Sequence, residues 1–124
     1  MMRAANRTVA TISMAGVLAL GLQGCAAKES HLDVKKLQAI IDVRIEDKFI
    51  YGHLENSIGA DYQMDTFTSR VANLKRNSSY GVYGKDKNDA ANAIRVLIKL
   101  GFKHLNNLGS LDDAQKATHL KVVM

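Results

Sequence analysis

The chain has 124 residues, a formal net charge of +5, one cysteine and no proline or tryptophan. That length holds one domain at most, and a lone cysteine excludes an internal disulfide and argues against a cysteine-based metal site. The basic excess is mild, its acids are interspersed and no basic run is interleaved with aromatics, which fits a solvated surface near an anionic membrane better than a nucleic-acid binder.

Met1 to Thr8 carries Arg3 and Arg7 and no acid, and Val9 to Leu22 then runs VATISMAGVLALGL. Such a stretch has the length of a signal-peptide apolar region, roughly 7 to 15 residues, and falls short of the ~20 needed to span a bilayer. Leu22-Gln23-Gly24-Cys25 follows at once and resembles the lipobox of bacterial lipoproteins. The resemblance implies cleavage before Cys25, lipidation of Cys25 and, with Ala26 rather than aspartate next, delivery to the outer membrane facing the periplasm. Residues 1–24 are then a lipoprotein signal peptide, 25–31 a tether and 32–124 the domain. Ordinary secretory cleavage near Gly24 to Ala27, or an uncleaved anchor, are the alternatives. Without Arg3 and Arg7 the charge is +3.

In the domain, Ala39-Ile40-Ile41-Asp42-Val43 is a β-branched run suited to a buried parallel strand. Glu46 to Tyr51 reads as a helical turn and Ser57 to Ala60 as a second short strand. Thr66 to Leu74 sets Phe67, Val71 and Leu74 on one helix face. After the turn cluster Asn77-Ser78-Ser79, Tyr80 to Tyr83 gives the next strand. From Asp89 on, Ala90, Ala91, Ile94, Leu97, Ile98 and Leu100 recur at helical spacing until Gly101 stops the helix. Lys103 to Asn106 is a further strand, Gly109 and Ser110 a turn, and Leu111 to Ala117 a last helix. Strands alternating with helices imply an α/β fold, a small parallel sheet with helices on both faces.

Four segments carry a family resemblance. Ile40-Ile41-Asp42-Val43-Arg44 is similar to the "DVR" strand end of rhodanese-like domains, and Gly52 to Ile58 (GHLENSI) to their "GHIxGA" segment. Val82-Tyr83 resembles their "VVYC" strand, and Leu100-Gly101-Phe102 with Asn107 to Leu111 resembles their "GFxxVxxLxGG" ending. In size and leader the chain is similar to small single-domain periplasmic rhodaneses of the phage shock protein E type.

In active members that strand ends in a cysteine that accepts sulfane sulfur, cradled by loop N–H groups at a helix N-terminus that stabilise a thiolate and an anionic substrate. The resemblance places Gly84 at the cysteine. The loop beyond it, Lys85, Asp86, Lys87, Asn88 and Asp89, lacks the usual hydroxyl and guanidinium donors and brings two carboxylates instead. Neither lysine nor aspartate can carry a persulfide, so no catalytic residue is assigned. Gly84 either keeps the turn open for a ligand or tolerates a tight turn. Asp86 and Asp89 should satisfy the helix N-terminus and fill the cradle from within, while Lys85 and Lys87 could still meet an anion.

Asp42, Arg44 and His53 read as structural anchors of the motif, His53 with its nitrogens bonded to backbone. His31, His104 and His119 are scattered without metal-binding spacing, so neither a metal nor another cofactor is expected. Tyr51, Tyr62 and Tyr80 offer either a contact surface or core edges. The resemblance therefore implies a catalytically inactive rhodanese-like domain on a cell-envelope lipoprotein, held to the membrane by Cys25 and binding an unknown envelope protein. The alternatives are a sulfurtransferase or sulfur-oxyanion binder with residual activity, and a domain without selected activity.

Overall fold

The computed structural model describes residues 32–124. The expected signal peptide (1–24) and tether (25–31), with Cys25 and His31, lie outside the described residues. After one 3₁₀ turn (Val34–Lys36), the order is β1 (Ala39–Asp42), α1 (Glu46–Tyr51), β2 (His53–Leu54), β3 (Ile58–Gly59), α2 (Phe67–Val71), β4 (Ser79–Tyr83), α3 (Lys87–Lys99), β5 (His104–Gly109), α4 (Leu111–Thr118) and β6 (Val122–Val123).

Four strands form one parallel sheet in the order β3-β1-β4-β5. The register pairs Ile41 with Val82 and Ile40 with Gly81. Since side chains alternate across a strand, Ile41, Tyr80 and Val82 share one face. There they pack against Phe67 and Val71 of α2 and Ala90, Ala93 and Leu97 of α3. The other face carries Ile40, Asp42, Gly81 and Tyr83, with the buried Leu54 and α4's Ala114 and Thr118 lying outside the first core. The expected α/β sheet with helices on both faces is thus the observed one. The parallel expectation omits the antiparallel ribbon in which β2 pairs with β6.

Two helices differ from the periodic reading. In α3 the buried positions are Ala90, Ala93 and Leu97, a stripe with i, i+3, i+7 spacing, while Ile98 is 58% exposed. The small alanines let the helix approach the sheet, and that approach fixes which stripe faces inward. α2 ends at Val71 rather than Leu74 because Arg76 claims the carbonyls beyond it. Its Nη1 donates to Leu74 O at 2.6 Å and its Nε to Leu100 O at 2.9 Å, so one guanidinium caps the ends of both α2 and α3. It also stacks 4.3 Å from the Phe102 ring centroid, a cation–π contact. Gly101, at φ +101°, makes the turn between α3 and Phe102.

α4 starts with a capping box. Ser110 Oγ accepts from Asp113 N at 3.1 Å, and the Asp113 carboxylate accepts from Ser110 N at 3.2 Å. Hydrogen bonds donated to the Asp113 carboxylate by the Ser110 backbone and hydroxyl hold it below its ordinary pKa. Gly109 before it has φ +78°, and a Cβ there would meet Asp113 Oδ2 at 2.6 Å, so no larger residue fits without moving the cap.

Candidate functional site

The C-terminal ends of parallel strands are where open α/β sheets bind ligands, and the turns after β1, β3, β4 and β5 converge here on one cleft of about 350 Å³. Val43, Arg44 and Ile45 line it from the first turn, Asp61, Tyr62 and Gln63 from the second, Gly84, Lys85 and Asp89 from the third, and Ser110, Leu111 and Asp112 from the fourth, with Lys48 of α1 at its side.

The turn after β1 is a closed unit. Asp42 is fully buried, and its carboxylate accepts from Arg44 N and Nε at 3.0 Å each and from Arg44 Nη2 at 2.6 Å. The same Nη2 donates to Gly52 O at 2.6 Å. Burial works to lower the Arg44 pKa, but the hydrogen bonds and charge of Asp42 raise it above the ordinary value. This is the only ion pair among the described residues, and it ties β1 to the end of α1, the anchor expected of Asp42 and Arg44. His53 is also an anchor, with Nδ1 donating to Phe49 O at 2.7 Å and its ring stacked on Phe49 at 3.7 Å between centroids. A carbonyl can only accept, so the proton of the neutral ring sits on Nδ1.

Tyr83 joins this turn to the next. Its carbonyl accepts from Val43 N at 3.0 Å, and its buried hydroxyl accepts from Leu54 N at 3.0 Å. Burial pushes the phenol up to about 12; the Ser57 hydroxyl opposes this and the charge of Asp42 adds to it.

The turn after β4 is built around Asp89. Asp86 is the N-cap of α3, its Oδ1 accepting from Asp89 N at 2.8 Å. Asp89 Oδ2 accepts from Lys85 N at 2.9 Å, and Oδ1 accepts from the Tyr62 hydroxyl at 2.8 Å. Gly84 N donates to Gly109 O at 2.9 Å. Burial first, then the hydrogen bond to Asp89, raise the Tyr62 pKa. A Cβ on Gly84 would stand 2.6 Å from Asp89 Oδ2 and 3.1 Å from Ala90 N. Gly84 is buried and its φ is not in the left-handed region. Of the two expected reasons for glycine, a tight turn is therefore not the operative one; lack of space is, and the space is held by a carboxylate rather than left open for a ligand.

The expected loop from Gly84 to Asp89 is in fact divided. Gly84, Lys85 and Asp86 form the turn, while Lys87, Asn88 and Asp89 are the first turn of α3, because Asp86 caps the helix earlier than the apolar pattern begins. Gly84, Lys85 and Asp89 line the cleft, whereas Asp86, Lys87 and Asn88 are exposed and do not. Of the tyrosines, Tyr62 is in the cleft and Tyr51 is exposed, but Tyr80 is fully buried with its hydroxyl on Lys75 O at 2.7 Å, so it is core rather than contact surface. Val43, Ile45, Lys48, Asp61, Gln63, Ser110, Leu111 and Asp112 are cleft residues missed by sequence reasoning; all but Lys48 lie in the stretches after β1, β3 and β5, and that position is the signal that could have found them.

The charges of the cleft balance. Arg44, Lys48 and Lys85 face Asp61, Asp89 and Asp112, and Arg44 is already committed to Asp42 beneath it. Among the described residues no group of three His, Cys, Asp or Glu side chains is placed to hold a metal ion.

A family model for the rhodanese-like domain matches residues 26–117. No curated protein matches the chain in sequence. Among solved structures, a rhodanese-like domain from an Anabaena protein is 25% identical with a TM-score of 0.61, over 69% of this chain and 98% of that one. A rhodanese from E. coli, solved with anions, is 22% identical with a TM-score of 0.57, over 68% and 95%. A rhodanese-related protein from Thermoplasma volcanium is 24% identical with a TM-score of 0.55, over 73% and 86%. The last two speak to the fold alone. With its parallel sheet, its DVR anchor and a family match over most of its length, the chain belongs to the rhodanese-like domain family.

Proposed function

We propose that this is a catalytically inactive rhodanese-like domain of a cell-envelope lipoprotein, a binding module tethered to the outer membrane through Cys25 and facing the periplasm. The observation that carries the reading is the pairing of Gly84 with Asp89: where a sulfur-accepting thiol would project, a carboxylate oxygen stands 2.6 Å from the Cβ position. A thiolate there would face a negative charge, and the Lys85 N–H that could stabilise it is already bonded to Asp89. Both effects disfavour the ionised sulfur on which persulfide chemistry depends.

The test is sulfur transfer from thiosulfate or mercaptopyruvate to cyanide by the purified chain. Turnover no greater than a heat-treated control is expected; turnover above it overturns the reading. Sorting is tested separately: the wild type should float with membranes and Cys25→Ser should not, and a wild type soluble in the periplasm would point to ordinary signal cleavage. The runner-up, a binder of small sulfur oxyanions, is favoured by Lys48 and Lys85 in the cleft and is separated by the sulfate titration described in the Discussion.

A further inference from the structure

Away from the cleft, the antiparallel ribbon gathers apolar side chains that the fold leaves uncovered. Tyr51, at the end of α1, is 79% exposed, Val122 of β6 40% and Met124 92%. They lie close along the ribbon: a Cβ on Gly52, the residue after Tyr51, would stand 3.3 Å from Val122 Cγ1, and Met124 follows Val123, the partner of His53. None of the three serves the core or the cleft. The charged side chains nearest in sequence are Asp47, Lys48, Glu55 and Lys121, two of each sign.

We propose that Tyr51, Val122 and Met124 form a patch that lies on the phospholipid surface to which the domain is tethered. This rests on the lipid-anchoring reading of Cys25. The argument for a bilayer as occupant is the length of chain outside the described residues: the seven residues from Cys25 to His31 reach at most about 25 Å even when fully extended. A short tether of this kind holds the domain at an effective concentration on the order of millimolar against the membrane, at which a small apolar patch docks although it would not bind lipid by itself. A tyrosine beside aliphatic and thioether side chains suits the interfacial zone, where an amphipathic ring is most comfortable. With charges of both signs nearest in the chain, docking comes from apolar burial and not from attraction to anionic headgroups.

The chain has no tryptophan, so Tyr51→Trp reports on the patch alone, and His104→Trp, at the exposed start of the sheet's edge strand, serves as the control. Each full-length variant is made in a bacterial host that processes lipoproteins, reconstituted into phosphatidylethanolamine–phosphatidylglycerol vesicles, and probed with bromine-labelled acyl chains. Indole emission from Tyr51→Trp should shift to the blue and lose about half its intensity, as for a side chain seated at the headgroup–acyl boundary. Emission from His104→Trp should do neither, and added salt should change nothing in either variant. Adding Val122→Ser and Met124→Ser to Tyr51→Trp should abolish the quenching. Protein that floats with the vesicles but leaves the indole of Tyr51→Trp unquenched overturns the proposal while the anchor stands. Protein that fails to float overturns the anchor and the proposal together. A blue shift without vesicles that grows with protein concentration makes the patch a contact between copies, which also overturns it.

Discussion

The turns after β1 and β4 lie side by side at the same end of the sheet, and each is organised by an aspartate that accepts backbone N–H groups, yet they differ in what water can reach. Asp42 is sealed and its charge is matched by Arg44. Asp89 is half-buried, opens on the cleft, and is held by a tyrosine hydroxyl and one amide. The first turn is scaffold: removing its carboxylate strands a cation. The second is an adjustable surface, where a similar carboxylate can be changed at small cost to the fold. A change in the turn after β4 and retention of the fold are therefore compatible in one small domain.

The contrast breaks most sharply at Asp42. Asp42→Ala leaves the Arg44 guanidinium largely buried without its partner, and breaking such a pair costs about 3–5 kcal/mol. Urea unfolding should show that loss; a change below ~1 kcal/mol would mean the turn after β1 is no more structural than its neighbour.

Tyr83, which links the two turns, comes next. Tyr83→Phe leaves the buried Leu54 N–H without its acceptor, an expected loss of about 1–3 kcal/mol. It should also change the alkaline limb of stability. The phenol's folded pKa, about 12, lies above its ordinary 10.0, so the unfolded chain ionises first. The stabilisation is full below pH 10 and is lost as pH rises towards 12, a drop on the order of 2 kcal/mol. The difference between wild type and Tyr83→Phe should isolate that drop.

The first of these effects concerns what is most legible in the sequence. β1, α1 and the Asp42–Arg44 anchor depend on residues close in the chain, and local spacing displays them. The contacts that stay hidden are between distant residues: Tyr62 with Asp89, Tyr83 with Leu54, and a ribbon whose two strands are only two residues each. Periodicity fails at Ile98 for a related reason, since α3 has apolar residues around most of its circumference and only the approach of Ala90 and Ala93 to the sheet selects the inner stripe. Gly84 is legible as an oddity, but its cause is not, because the atom that fills its space belongs to a helix residue that the sequence alone places in the loop.

Gly84→Cys tests that cause. The new side chain must displace the Asp89 carboxylate or strain the first turn of α3, a cost of about 1–3 kcal/mol, and sulfur transfer should stay at background. Adding Asp89→Gly should restore most of the lost stability by clearing the space. If Gly84→Cys alone is as stable as wild type and turns over thiosulfate, Asp89 is not the obstruction.

The smallest effect distinguishes the two turns as scaffold and adjustable surface. In Asp86→Asn with Asp89→Ser, asparagine remains a good N-cap, so the cap of α3 survives, but both charges at the helix N-terminus are gone, each worth about 0.3–1 kcal/mol. Lys85 N loses its acceptor and the Tyr62 hydroxyl its carboxylate; with the Asp89 contribution removed, the Tyr62 phenol should titrate at lower pH than in wild type, a shift visible by ultraviolet titration. The emptied turn then presents Lys85, Lys48 across the cleft and free N–H groups, which together suit an anion. In buffer free of sulfate and phosphate the double variant should melt slightly earlier than wild type. Sulfate added at constant ionic strength should return the difference, because a ligand that binds only the folded state stabilises it in proportion to its occupancy. Wild type should bind sulfate more weakly than millimolar. Tight sulfate binding by the wild type, or no recovery in the variant, would favour the small-anion reading in the first case and, in the second, leave Asp89 as a helix cap that never stood in an anion's place.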